Sequence, residues 1–144
     1  MEGTLLWCQV LAQSLDGKPG TIVNIGSVAW RFAVPRRAAY AAVHSLTRTL
    51  AAEWAPIGIR VKAVAPGHIA TPMINEVTRL GKLDRDLVAS WHAMKRLGEP
   101  DEVAHAITYL LSPESSFING HILKVDGGFA VLKAEDPIAP EVTG

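Results

Sequence analysis

The sequence of 144 residues predicts an α/β domain with a parallel sheet of about three strands and flanking helices. Three short runs rich in β-branched residues alternate with helical patterns, and this alternation produces parallel sheets through right-handed crossovers. The runs are apolar on both faces, as buried parallel strands are. With 49% apolar and 19% charged residues, the composition is that of a folded domain.

The predicted order is helix, strand, helix, strand, helical excursion, helix and strand. These elements cover residues 4–15, 21–25, 38–54, 58–65, 68–98, 99–111 and 120–125. The second helix is the clearest, because Val43, Leu46 and Leu50 recur at steps of three or four in an alanine-rich stretch. Within the excursion, we expect a helical middle around 77–87.

Charge and cysteine content exclude several classes of protein. The 14 basic and 14 acidic residues give a net charge of zero, so we expect no nucleic-acid partner. Apolar stretches of only a few residues predict no membrane span. Cys8, a lone cysteine without a signal peptide, predicts a small core residue in a cytoplasmic protein. The histidine spacings predict no metal site.

Six segments, at matching spacing apart from one gap, resemble the short-chain dehydrogenase/reductase family. They are GTIVNIGS at 20–27, Tyr40, GIRV at 58–61, APGHIATP at 65–72, RLGEPDEVA at 96–104 and NGHILKVDGG at 119–128. The resemblance implies the C-terminal part of a Rossmann-like doubly wound NAD(P)-binding domain, and therefore a partial form of that fold. We expect this domain to cover residues 1–130, with a flexible tail at 131–144.

The resemblance also implies an activity, the NAD(P)-dependent interconversion of a small-molecule alcohol and ketone by hydride transfer. Ser27 matches the serine that hydrogen-bonds the substrate oxygen, and Tyr40 matches the proton donor and acceptor. The segment that holds the nicotinamide end of NAD or NADP is matched by Pro66, Gly67, Ile69 and Thr71. Hydride transfer leaves charge on an oxygen, which explains the need for a proton and a nearby donor.

His44 stands four residues after Tyr40, where the family has a lysine. A free tyrosine has a pKa of ~10, so the family lysine serves to lower it. Tyr40 and Gly58 are 18 positions apart, four short of the family spacing, which favours a deletion over an exchange of lysine for histidine. His44 is then either an exposed or hydrogen-bonded side chain without a role, or a cationic substitute at low pH.

The Gly-rich phosphate-binding loop of the family is a second departure, since no G-x-G-x-x-G occurs in the sequence. We therefore expect this chain alone to be weak or inactive as an enzyme. The alternative is a non-catalytic fragment that forms homo-oligomers through the helices at 4–15 and 38–55, or the product of a decayed gene. Lys62 replaces a family asparagine and is interpreted as a solvated residue at a strand end.

Overall fold

The computed structural model describes residues 2–31 and 38–132 and confirms the predicted three-stranded parallel sheet. The strands are β1 (Gly20–Ile25), β2 (Ile59–Pro66) and β3 (Ile122–Val125). The helices are α1 (Glu2–Ser14), α2 (Ala38–Trp54), α3 (Pro72–Arg79), α4 (Arg85–Ser90) and α5 (Pro100–Leu111). Single 3₁₀ turns occupy Val28–Arg31, Ala55–Ile57 and Pro113–Ser115. Residues 133–144 of the predicted tail lie outside the described residues.

The sheet has the order β1-β2-β3, so β2 is the central strand. Ile22 pairs with Val61 on one side, and Ala63 pairs with Ile122 on the other. Residues 61–65 of β2 are all completely buried. This burial on both faces is typical of a parallel strand covered by helices. None of the described helices is long and apolar enough to cross a bilayer.

Helix α2 begins at Ala38 and ends at Trp54, as the sequence predicts. Its side chains Leu50 and Ala51 join the core cluster that contains Ile22 of β1 and Val61 of β2. The alanine-rich sequence favours the helix, and the apolar stripe attaches it to the sheet. The second half of α2 is therefore held firmly against β1 and β2.

A chain of polar contacts crosses this core and ties α1, β1 and α2 together. The thiol of Cys8 lies 3.5 Å from Asn24 Oδ1, to which it donates, and Asn24 Nδ2 donates to Thr47 Oγ1 at 3.0 Å. Thr47 Oγ1 in turn donates to the carbonyl oxygen of Val43 at 2.8 Å. Burial raises the pKa of the Cys8 thiol, an effect that the hydrogen bond to Asn24 partly offsets. Cys8 is a buried core residue, as predicted.

The prediction of a helix over 77–87 is wrong, because two helices occupy this part of the excursion. Helix α3 ends at Arg79, and Gly81 follows with a φ of +66°. Asp84 then caps α4 by accepting hydrogen bonds from the N–H groups of Asp86 and Leu87, each at 3.0 Å. A left-handed glycine followed by an aspartate cap separates two helices even where the apolar spacing continues.

The interpretation of Lys62 as a solvated residue is also wrong. Its side chain is completely buried, and its Nζ donates to Leu110 O at 2.7 Å, Ser115 O at 3.0 Å and Ser115 Oγ at 2.7 Å. Burial, with a smaller contribution from the charge of Arg60, lowers the pKa of Lys62 to about 8. The amine satisfies acceptors at the carboxyl end of α5, where a cation is favoured.

Candidate active site

The carboxyl ends of all three strands meet at one edge of the sheet. Gly26 N–H donates to Val64 O at 2.9 Å, and Gly67 N–H donates to Val125 O at 3.0 Å. These bonds continue the ladder beyond the strands, so Ser27 and the segment after β2 start from the same edge. In open α/β sheets, ligands bind outside this edge.

Ser27 lies directly after β1, at the start of the 3₁₀ turn. Its Oγ accepts a hydrogen bond from Ala29 N–H at 3.2 Å, and its carbonyl oxygen accepts from Trp30 N–H at 3.3 Å. The turn fixes the side chain at the sheet edge. Since the hydroxyl is an acceptor in its contact with Ala29, its own O–H can still donate to a substrate oxygen.

Tyr40 lies in the first turn of α2, with 39% of its surface exposed. Within residues 2–31 and 38–132, no hydrogen bond joins Tyr40 to Ser27. The intervening segment 32–37 lies outside the described residues. The phenol is therefore accessible from solvent at the amino end of α2.

The four predicted nicotinamide-contacting residues, Pro66, Gly67, Ile69 and Thr71, lie in one short segment that leaves β2. Ile69 forms an isolated parallel bridge with Gly98, whose N–H donates to His68 O at 3.0 Å. Thr71 caps α3 by accepting a hydrogen bond from Ile74 N–H at 3.3 Å. The segment is thus fixed at both ends by its own backbone and by the chain at 98.

A small cavity of about 50 Å³ lies beside this segment, between Ile69, Met94 and Asp126. It has room for water but not for a nicotinamide ring.

His44 is 2% exposed, and its ring packs against Gly26 and Trp30. A Cβ at position 26 would overlap His44 Nε2, and the Trp30 ring centroid is 5.1 Å from that of His44. Neither ring nitrogen has a hydrogen-bond partner in the described ranges. Burial lowers the pKa of His44 to about 4, and the charge of Arg48 adds to this effect.

The expectation that His44 is exposed or hydrogen-bonded is therefore wrong, and so is the expectation that it becomes cationic near pH 6.5. The side chain is neither exposed nor hydrogen-bonded to a described residue, and it is neutral at pH 6 rather than cationic. The physical reason is that α2 turns this position toward the sheet, while Tyr40 one turn earlier stays at the surface.

The buried side chain of His92 lies beside the segment after β2. It follows α4, is 1% exposed, and contacts His68 and Phe129 through its ring, with centroid distances of 5.2 and 5.3 Å. Trp91 is 43% exposed, and its ring meets that of His68 edge-on with a centroid distance of 5.6 Å. No local sequence pattern indicates these contacts, because they join positions more than twenty residues apart. No group of three metal-ligating side chains occurs in the ranges that the structure describes.

The family described as Enoyl-(Acyl carrier protein) reductase matches residues 1–130 of this chain. An uncharacterized short-chain type dehydrogenase/reductase of Sinorhizobium fredii is 47% identical over 117 residues, which are 78% of this chain and 21% of that protein. The galactitol 2-dehydrogenase (L-tagatose-forming) of Cereibacter sphaeroides is 40% identical over 149 residues, covering 87% of this chain and 57% of the relative.

Solved structures agree with these sequence relationships. A 3-oxoacyl-[acyl-carrier protein] reductase from Brucella melitensis with bound NAD superposes with a TM-score of 0.74 at 36% identity, covering 90% of this chain and 48% of that chain. Other solved relatives hold NADP. The chain spans about half the length of such relatives. The sequence segments, the parallel sheet and these matches agree: the chain belongs to the short-chain dehydrogenase/reductase family.

Proposed function

We propose that this chain is the C-terminal part of an NAD(P)-dependent oxidoreductase that interconverts small-molecule alcohols and ketones. This part carries the residues that act on the substrate and contact the nicotinamide. The observation that carries the proposal is the common sheet edge from which Ser27 and the segment 66–71 both start. Tyr40 lies at the amino end of the helix that packs on the same sheet. The dehydrogenase and reductase names of the relatives support the reaction class.

In this proposal Ser27 and Tyr40 act on the reacting oxygen of the substrate. Ser27 Oγ donates a hydrogen bond that orients the oxygen and stabilises the negative charge that develops on it. In ketone reduction the phenolic O–H of Tyr40 gives this oxygen its proton, and in alcohol oxidation the proton moves the other way. A bound NAD or NADP supplies the hydride acceptor or donor.

The two ends of such a cofactor fit the described residues differently. The fixed segment 66–71 offers a wall for the nicotinamide end. The pyrophosphate finds no Gly-rich strand-to-helix turn in residues 2–31 and 38–132, because β1 runs into the 3₁₀ turn and α3 begins at Pro72, which has no N–H to offer. We infer that the phosphates need a second polypeptide segment, and that this chain alone binds dinucleotide poorly.

His44 does not supply the missing cation in this proposal. It packs on Gly26 inside the core, and burial lowers its pKa to about 4, so it is uncharged at neutral pH. Tyr40 therefore has no cation one turn further along the helix, and general acid–base catalysis by its phenol is impaired.

The experiment uses this chain co-expressed with a phosphate-binding N-terminal half from a relative, and measures carbonyl reduction with NADH and NADPH. Insertion of Ser-Lys-Ala-Ala after Ala42 restores a lysine four residues beyond Tyr40. We expect the insertion to raise the rate at neutral pH by roughly 10²–10⁴-fold, the usual contribution of general acid–base catalysis.

Tyr40→Phe in the inserted variant is the matched control and should abolish the gain. Without the second half, titration of the chain with either cofactor should show no saturation in the micromolar range. An unchanged rate after the insertion, or tight cofactor binding by the chain alone, would overturn the proposal.

A non-catalytic interaction fragment is the second candidate, favoured by the surface of α1. Leu6, Trp7, Val10 and Leu11 are each about half exposed or more, with Trp7 at 69%. A cavity of about 560 Å³ lies between this helix and the outer edge of β1. Contiguous apolar surface of this kind mediates association. Sedimentation should show a homo-oligomer, and a single 15.5 kDa species at all concentrations would contradict it.

A further inference from the structure

We propose that His92 is a positioning residue that fixes the segment after β2 through a neutral imidazole held in one tautomer. The inference rests on the proposed function only in the role it gives that segment, which we propose contacts the nicotinamide end. The hydrogen bonds themselves follow from the contacts of this chain.

The tautomer follows from the two partners of the ring. His92 Nδ1 lies 3.0 Å from the carbonyl oxygen of Val88, which can only accept, so Nδ1 carries the proton. His92 Nε2 lies 3.3 Å from the backbone N–H of His68, which can only donate, so Nε2 is the bare acceptor. A ring with one donor and one acceptor of this polarity is neutral.

Each of these partners would otherwise lack part of its hydrogen bonding. Val88 is 2% exposed and lies in the last turn of α4, where its carbonyl accepts one long hydrogen bond of 3.3 Å from Trp91 N–H and has a second acceptor site for His92 Nδ1–H. The His68 N–H leaves the β2–β3 ladder, whose last bond is made by Gly67. His92 therefore links the end of α4 to the segment after β2.

The close approach of the ring depends on a glycine. A Cβ at Gly67 would lie 3.0 Å from His92 Nε2 and 3.0 Å from Asp126 Cα, so the imidazole and the chain after β3 pack directly on the bare backbone. The ring is also enclosed by Phe129. Packing thus fixes the ring plane, and the two hydrogen bonds fix its rotation.

Three variants separate the hydrogen bonds from the packing of the ring. His92→Gln keeps an acceptor, Oε1, near the place of Nε2. His92→Asn keeps a donor, Nδ2, near the place of Nδ1 but loses the acceptor. His92→Phe keeps the ring and loses both groups. The measurement is hydrogen exchange of the His68 amide by NMR on the whole chain, with the exchange of β2 amides as the control for global unfolding.

We expect the His68 amide to exchange about fivefold faster in the Asn and Phe variants than in the wild type or the Gln variant, since one net hydrogen bond of about 1 kcal/mol is lost. Long-range ¹H–¹⁵N correlation spectra of the wild type should show the Nδ1–H form of His92. Protection retained in the Phe variant but lost in the Gln variant would show that the ring acts by packing alone and would overturn the proposal. So would an Nε2–H tautomer.

A separate titration with reduced nicotinamide mononucleotide, which lacks the adenylate part, distinguishes failure of the two proposals. Shifts of the Ile69 and Thr71 amides support the nicotinamide role of the segment. If this probe shifts neither amide, the role proposed for the segment fails, while the exchange and tautomer results still decide the role of His92.

Discussion

Two buried histidines lie beside the ends of neighbouring strands, and their surroundings are opposite. His44 packs on Gly26 after β1, and His92 packs on Gly67 after β2, at 2% and 1% exposure. Both nitrogens of His92 are hydrogen-bonded, whereas those of His44 have no partner among residues 2–31 and 38–132. Equal burial therefore says nothing about what an imidazole does, and the hydrogen-bond partners decide it.

The difference between the two histidines coincides with how closely the sequence around each follows the family pattern. The region around His44 departs from the family pattern, with a shortened spacing and no lysine, while the segment after β2 follows the pattern closely. A buried polar side chain without a described partner is unusual, and His44 lies in the region that departs from the family pattern.

The largest expected effect is on the pH dependence of stability. The ordinary pKa of histidine is 6.5, and that of folded His44 is about 4. In this window the unfolded state binds a proton that the folded state does not, so stability is complete above pH 6.5 and falls as the pH approaches 4. The loss reaches about 3 kcal/mol. Chemical denaturation from pH 7 to pH 4 should show this extra loss in the wild type and not in His44→Leu. Parallel curves for the two proteins would contradict the buried, neutral state of His44.

The glycines beneath the two rings provide the second comparison. Gly26→Ala places a methyl group on the His44 ring, and Gly67→Ala places one against the Asp126 backbone as well as His92. Each should cost about 2 kcal/mol, as overpacking does. Because only a side chain obstructs the first methyl group, adding His44→Ala should recover part of the Gly26→Ala loss in a double-mutant cycle.

His92→Ala should not rescue Gly67→Ala, since the backbone contact remains. Equal recovery of stability at the two positions would show that the added methyl group is obstructed only by the histidine ring in both cases. The contrast between Gly26 and Gly67 would then be wrong.

The smallest effects are expected from leucine replacements at pH 7. His92→Leu removes the imidazole acceptor of the His68 N–H and leaves the carbonyl of Val88 with only its bond from Trp91 N–H, and it should destabilise the fold by about 1–2 kcal/mol. His44→Leu removes a polar group that has no described partner and should leave stability unchanged or raise it by about 1 kcal/mol. Thermal unfolding of both variants measures the difference, and a similar loss in each would indicate that His44 is held by a hydrogen bond after all.

The fold was predictable where local patterns and packing agree. Helix α2 has the predicted bounds because its alanine content and its apolar stripe favour the same helix over the same residues. The prediction of a single helix around 77–87 failed because Gly81 and Asp84 separate α3 from α4, although apolar residues continue on both sides of them. The prediction that Lys62 is solvated failed because its long side chain reaches acceptors at the end of α5 and can therefore be buried. Those acceptors lie about fifty positions later in the sequence, where no local pattern reveals them.

The candidate site was predictable only through the resemblance. Its motifs select Ser27 and the segment after β2, and the structure places these at one sheet edge. The roles of Ser27, Tyr40 and the nicotinamide-contacting residues remain predictions. The bond between His92 and His68 is a contact between two loops, and nothing in either local sequence indicates it.

The reactivity of the Cys8 thiol can report how often helix α1 detaches from the sheet. Cys8 is the only cysteine in the chain, it lies on the side of α1 that packs on β1 with 2% exposure, and the raised pKa of its thiol keeps the reactive thiolate scarce. A thiol reagent can therefore label only those molecules in which α1 has momentarily detached from β1. The labelling rate divided by that of a free thiol gives the fraction of time spent detached, and hence the free energy of that local opening, with no engineered probe.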